Sequence, residues 1–105
     1  MNKNIYWKGF CSKDRNVAIY EIENIVNKYG FITDFRMSSD IEIGIKIEIE
    51  EQYICNLYDD LQNYLSIDGY EDLNLQSKKE RLIFFNITFL KGTGNLKIEV
   101  PAVPG

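Results

Sequence analysis

The stretch Ile41-Glu42-Ile43-Gly44-Ile45-Lys46-Ile47-Glu48-Ile49-Glu50 places isoleucine at every odd position and a charged residue or glycine at every even one. Successive side chains of a β-strand point to opposite faces, so only a strand gathers these isoleucines on one side. The segment therefore reads as a strand with one dry face and one wet, mostly acidic face. A sheet that contains it is covered on one face only, and the uncovered face becomes the candidate working surface.

On the N-terminal side, residues 31–37 read as a partner strand, and Ser38-Ser39-Asp40 as the turn that joins the two into a hairpin. Residues 17–29 carry Ala18, Ile22, Ile25, Val26 and Tyr29 at helical spacing. Ser12 or Asp14 can cap that helix, and Gly30 stands just past its end. Residues 5–10 read as the first strand. On the C-terminal side a second helix is expected from about residue 51 to 65, with Ile54, Leu57, Tyr58, Leu61, Tyr64 and Leu65 on its buried stripe. Residues 67–80 read as a polar, turn-rich loop, residues 81–90 as the most apolar strand, 91–95 as a hairpin turn and 96–100 as a last strand. Pro101 and Pro104 each lack an amide donor, which keeps the tail from pairing fully. The order is β-α-β-β-α-β with an extra C-terminal strand. This predicts an α+β, ferredoxin-like (split-βαβ) sandwich in which two helices cover one face of an antiparallel sheet.

At 105 residues and 45% hydrophobic content, residues 1–105 are expected to form a single domain with a core that needs no disulfides. No apolar run approaches the roughly 18 residues of a membrane span, and charge follows the N-terminus before any signal-like hydrophobic region, so a cytoplasmic location is expected. Cys11 and Cys55 are too few for a disulfide scaffold and are expected as free thiols, with Cys55 on the buried stripe of the second helix. Cys11 lies between a strand and a helix start and is flanked by Lys13 and Arg15, a setting that can stabilise a thiolate; no second cysteine stands near it to resolve a disulfide.

The chain contains no histidine. Histidine carries most general acid/base work near neutral pH and ligates most catalytic zinc and non-haem iron sites. Its absence removes the Ser-His-Asp and Cys-His nucleophile systems, and no pair of carboxylates stands out from the others. A non-catalytic protein with no metal site and no cofactor is expected. Gly92-Thr93-Gly94 is followed by a strand, not a helix, so it reads as a turn and not as a phosphate loop.

The net charge of −4 is unevenly spread. Between Asp40 and Asp72 ten acids face one base, a balance of −9, while the remainder holds eleven bases and six acids, a balance of +5. An acidic lobe attracts basic partners and repels phosphate. The outward sheet face is expected to show Glu42, Lys46, Glu48 and Glu50 beside Tyr6 and Lys8 of the first strand and Phe84 of the apolar strand. Partner-binding candidates are Tyr6, Glu42, Glu48, Glu50, Glu51, Asp59 and Asp60. The expected partner is a basic protein, and the expected role is that of an inhibitor or immunity-type protein that neutralises a toxin such as a nuclease. No nucleic acid or membrane is expected as a partner, and the chain is expected to be a monomer or a homodimer.

Two resemblances bear on this reading. Ile5-Tyr6-Trp7-Lys8-Gly9-Phe10 resembles the aromatic first strand of RNA-recognition motifs, but the isoleucine strand supplies carboxylates where that family stacks bases, and these would repel a phosphate backbone. Asp14-Arg15-Asn16-Val17-Ala18-Ile19-Tyr20-Glu21-Ile22 resembles the turn and helix start of ACT domains, and the order of elements agrees to about residue 65, some two-thirds of the chain. The family's turn proline and glycine correspond to Asn16 and Val17. The resemblance implies a small regulatory module that dimerises and binds a ligand such as an amino acid, with Asp14, Arg15 and Asn16 at the ligand.

Overall fold

The computed structural model describes residues 4–69 and 76–90. The residues read as the 91–95 turn, the 96–100 strand and the proline-bearing tail lie outside that description. The described chain is an α+β structure: β1 (Ile5–Cys11), α1 (Arg15–Asn27), β2 (Gly30–Ser39), β3 (Glu42–Glu50), a single 3-10 turn (Glu51–Tyr53), α2 (Ile54–Gln62), β4 (Ser66–Asp68) and β5 (Glu80–Phe89). The strands form one sheet in the order β2-β3-β5-β1-β4. β2 with β3, β3 with β5, and β1 with β4 run antiparallel, whereas β1 and β5 run parallel. The expected all-antiparallel sheet is thus corrected to a mixed one. The short β4 that follows α2 takes the edge beside β1, and β5 enters between β1 and β3.

Period-2 patterning decides which face is covered. Ile43, Ile45, Ile47 and Ile49 are fully buried, together with Ile83, Phe85, Ile87 and Phe89 of β5 and Ile5, Trp7 and Cys11 of β1. The buried side chains of both helices belong to the same cluster, so both helices lie on this face. Ile41 breaks the pattern: it falls in the β2–β3 turn and is 45% exposed. Its carbonyl still accepts the amide of Phe89 at 2.7 Å, which pins the turn to the end of β5.

Asp14 caps α1, its side chain accepting the amide of Val17 at 3.2 Å, and the helix buries Ala18, Ile22 and Val26 at four-residue spacing. Gly30 stands just past the end of α1, as expected, without a positive φ. It opens β2, where a Cβ would stand 2.5 Å from the carbonyl oxygen of Glu48 and 2.9 Å from Cβ of Ile49, so only glycine lets the two backbones meet. α2 follows the 3-10 turn and buries Ile54, Leu57 and Leu61. Trp7 is wedged between the layers, edge-on to Tyr58 at 5.3 Å and to Phe85 at 5.6 Å. At the start of the stretch read as a loop from residue 67, Ser66–Asp68 pairs with β1 and buries Ile67. Gly69 then turns the chain with φ of 109°, the left-handed region that favours glycine.

The two helices are joined by a hydrogen bond at their ends: the Tyr29 hydroxyl donates to Asp60 Oδ2 at 2.5 Å. This bond, with partial burial and the nearby carboxylate charge, raises the Tyr29 pKa above its ordinary value. A folded-state pKa above the unfolded value of about 10 means the contact stabilises at neutral pH and is lost as pH rises through the raised value. In a spectrophotometric titration, Tyr29, identified by difference against Tyr29→Phe, is expected to ionise later than a tyrosine of the unfolded chain. Asp60→Asn is expected to bring it back toward the ordinary value, and an unchanged titration in that variant would contradict the contact.

Candidate functional site

The sheet face opposite the helices carries the even-numbered residues of β1, β3 and β5, and strand register arranges them in rows. Asp34, Lys46, Phe84 and Tyr6 form one row, because Asp34 faces Lys46, Lys46 faces Phe84 and Phe84 faces Tyr6. Arg36, Gly44, Asn86, Lys8 and Asp68 form the next. Tyr6 is 64% exposed and stacks on Phe84, with ring centroids 5.4 Å apart and planes 17° from parallel. Lys46 Nζ lies 5.8 Å from the Phe84 centroid, within reach of a cation–π attraction. Gly44 has no side chain and Asn86 a short one, so the face dips beside the aromatic pair. A depression of about 330 Å³ is lined by residues including Asp34, Arg36, Gly44, Lys46 and Asn86. Another, of about 360 Å³, lies on the far side of Phe84 against Tyr6, Lys8, Asp68 and Gly69.

The carboxylates flank this belt. Glu42 lies at one end, opposite Thr88 and Ser39, and Glu48 and Glu50 lie at the other. At about 3.3 Å per residue, Glu42 and Glu48 are roughly 20 Å apart along β3. Glu50 accepts a hydrogen bond from Gln52 Nε2 at 2.5 Å and faces Glu80 across the sheet. The middle of the face therefore carries the aromatic pair among charges of both signs, Lys8, Arg36 and Lys46 with Asp34 and Asp68, and its ends on β3 are acidic. Tyr6, Glu42, Glu48 and Glu50 share it, as expected from the sequence, and so do Lys8, Lys46 and Phe84.

Three of the expected partner-binding acids do not. Asp59 and Asp60 are on α2, in the layer behind the sheet, and Asp60 is engaged by Tyr29. Glu51 is buried at the start of the 3-10 turn, where its Oε1 lies 3.3 Å from Arg81 Nη1 and the two side chains are 11% and 10% exposed. Its amide donates to the Lys79 carbonyl at 2.8 Å, so Glu51 fastens the end of β3 to the chain entering β5. The described acids of the −9 lobe are consequently divided between two faces and the interior. Parity was the available signal: Glu51 shares the odd numbering of the buried isoleucines, whereas Glu48 has the even numbering of the outward face.

The residues of the ACT-like turn have structural work. Asp14 caps α1, and Arg15 Nη1 donates to the Asp40 carbonyl at 3.0 Å, tying the helix start to the β2–β3 turn. Asn16 is exposed in the first turn. Cys11 is fully buried at the end of β1, away from the electropositive surface position its neighbours suggested. Cys55 is only partly buried, a correction to its place on the stripe; burial, and then the charge of Asp59, push its thiol pKa up and disfavour the thiolate. Among the described residues no group of three or more Cys, Asp or Glu side chains is placed to hold a metal ion, and no described helix is long and apolar enough to cross a membrane. No protein-family model, curated protein or solved structure matches the chain.

Proposed function

We propose that the chain is a non-catalytic binding protein whose uncovered sheet face docks onto a basic protein. The observation that carries this reading is the stacked pair of exposed Tyr6 and half-buried Phe84, set in the middle of a sheet face that ends in Glu42 on one side and Glu48 and Glu50 on the other. Aromatic anchors inside a polar rim are the usual composition of a protein-contact surface, and rim carboxylates steer a basic partner toward it. The role fits an inhibitor or immunity-type protein whose carboxylates take the place of phosphate on a toxin such as a nuclease. The acids of α2 are not part of this surface. The frame that presents it is read as ferredoxin-like: β1, α1, β2, β3, α2 and β4 follow the split-βαβ order, with β5 inserted between β1 and β3.

The test is affinity capture of the partner followed by measured association rates. Joint reversal of Glu42, Glu48 and Glu50 to lysine is expected to slow association and weaken binding about tenfold or more, with the wild-type rate falling as salt shortens the screening length. Tyr6→Ala is expected to speed dissociation, and Asp59→Lys, on the opposite layer, to change neither rate. An acidic partner, or a triple reversal that binds as tightly as wild type, removes the proposal.

A further inference from the structure

β2 is an outer strand of the sheet, ten residues long, and among the described residues it pairs only with β3. An outer strand of this length presents a row of backbone donors and acceptors, and proteins usually blunt such an edge with proline, shortness or charge. β2 contains no proline, and Asp34–Met37 keeps regular pairing between two register irregularities. Phe35 and Met37 lie on the helix-covered side, opposite the buried Ile45 and Ile43, yet they remain 37% and 50% exposed. The helix layer packs on the start of β2, where Ile32 joins the core, and leaves Phe35 and Met37 uncovered. On the other side, Asp34 and Arg36 bracket Phe35 as an exposed pair 3.5 Å apart.

We propose that β2 pairs antiparallel with β2 of a second copy of this chain, about a two-fold axis at Phe35. In that register Asp34 faces Arg36 of the second copy, Arg36 faces its Asp34, and the two Phe35 rings meet on the helix side. Opposite charges directly across a strand pair stabilise it, and like charges in that position destabilise it. The neighbouring registers fail on this ground: an axis at Asp34 sets the two Asp34 side chains opposite each other, and an axis at Arg36 does the same to the two arginines. A slip of one residue sets Phe35 against Arg36 and turns one sheet over. Charge and apolar exposure therefore select one register and one occupant, a second copy. The axis stands perpendicular to the sheet, so the five described strands of each copy join in one continuous sheet with both uncovered faces on the same side.

Sedimentation or light scattering across a range of concentration tests this. The wild-type chain is expected to form a dimer whose fraction rises with concentration. Asp34→Arg or Arg36→Asp sets like charges opposite each other twice per dimer and is expected to weaken it about tenfold or more. Both side chains are exposed, so each variant should keep its fold, checked by circular dichroism. Mixing the two single variants, or combining both changes in one chain, restores opposite charges and is expected to restore association. Reversal of Glu42, Glu48 and Glu50 leaves β2 intact and is expected to leave the dimer unchanged, which separates this interface from the partner surface. A wild-type chain that stays monomeric at every concentration, or a dimer indifferent to the single reversals, overturns the proposal.

Discussion

Ile45→Asp is expected to abolish cooperative folding at neutral pH. Ile45 is 2% exposed and lies between Phe35 of β2 and Phe85 of β5, beneath the helix layer. A carboxylate placed there loses its water and gains no cation, a penalty of several kcal/mol even after relaxation. A domain of this size has about 5–15 kcal/mol of total stability, so the change consumes most or all of it. Two controls locate the effect. Ile45→Val keeps the site apolar and is expected to cost about 0.5–1.5 kcal/mol. Glu48→Gln, on the opposite side of the same strand, is expected to cost less than about 1 kcal/mol. A urea transition for Ile45→Asp with a midpoint near that of wild type would refute the assignment of faces.

Arg81→Met is the second large effect. The Glu51–Arg81 pair is nearly closed off from water, and replacing the arginine leaves the Glu51 carboxylate without this cation where solvent can do little to compensate. Breaking a buried pair from one side typically costs about 3–5 kcal/mol, while replacing both members by apolar residues of similar volume is often neutral. The double variant Glu51→Leu/Arg81→Met is therefore expected to regain most of the stability lost by Arg81→Met alone. Urea melts of the wild type, both singles and the double form a cycle that measures the coupling. If the two single losses simply add, the pair does not act as a unit.

What the sequence made legible is what local periodicity and capping encode. The isoleucine alternation identified β3 and its covered face, and the same parity rule placed Tyr6, Lys8 and Phe84 on the other side. Asp14 announced the start of α1, and Asp40 lies in the β2–β3 turn. Neighbour relations were not legible. Parity tells which face a side chain occupies but not which strand lies alongside, so nothing local indicated that β5 would enter beside β1 in parallel. β4 has three residues, too few to show a period, and was absorbed into the loop expected there. Glu51 stood in a run of acids and looked like the rest, because its partner Arg81 arrives thirty positions later. The charge asymmetry was a property of composition, and a strand and a helix that pack on each other project their outer residues in opposite directions, which divided it.

The central place of β5 governs the order in which the molecule can assemble. β5 is the last described strand to be synthesised, yet it supplies the common neighbour of β1 and β3. Until it arrives, β1 with α1 and the β2–β3 hairpin are separate pieces, each with an open edge and an uncovered row of isoleucine or aromatic side chains. The pairing that joins them, from Ile5 with Ile83 to Cys11 with Phe89, spans nearly eighty residues of chain, and such long closures slow folding and raise contact order. Completion of the core is thus postponed until β5 has left the ribosome, and a chain interrupted before β5 exposes the surfaces most prone to pair with other chains.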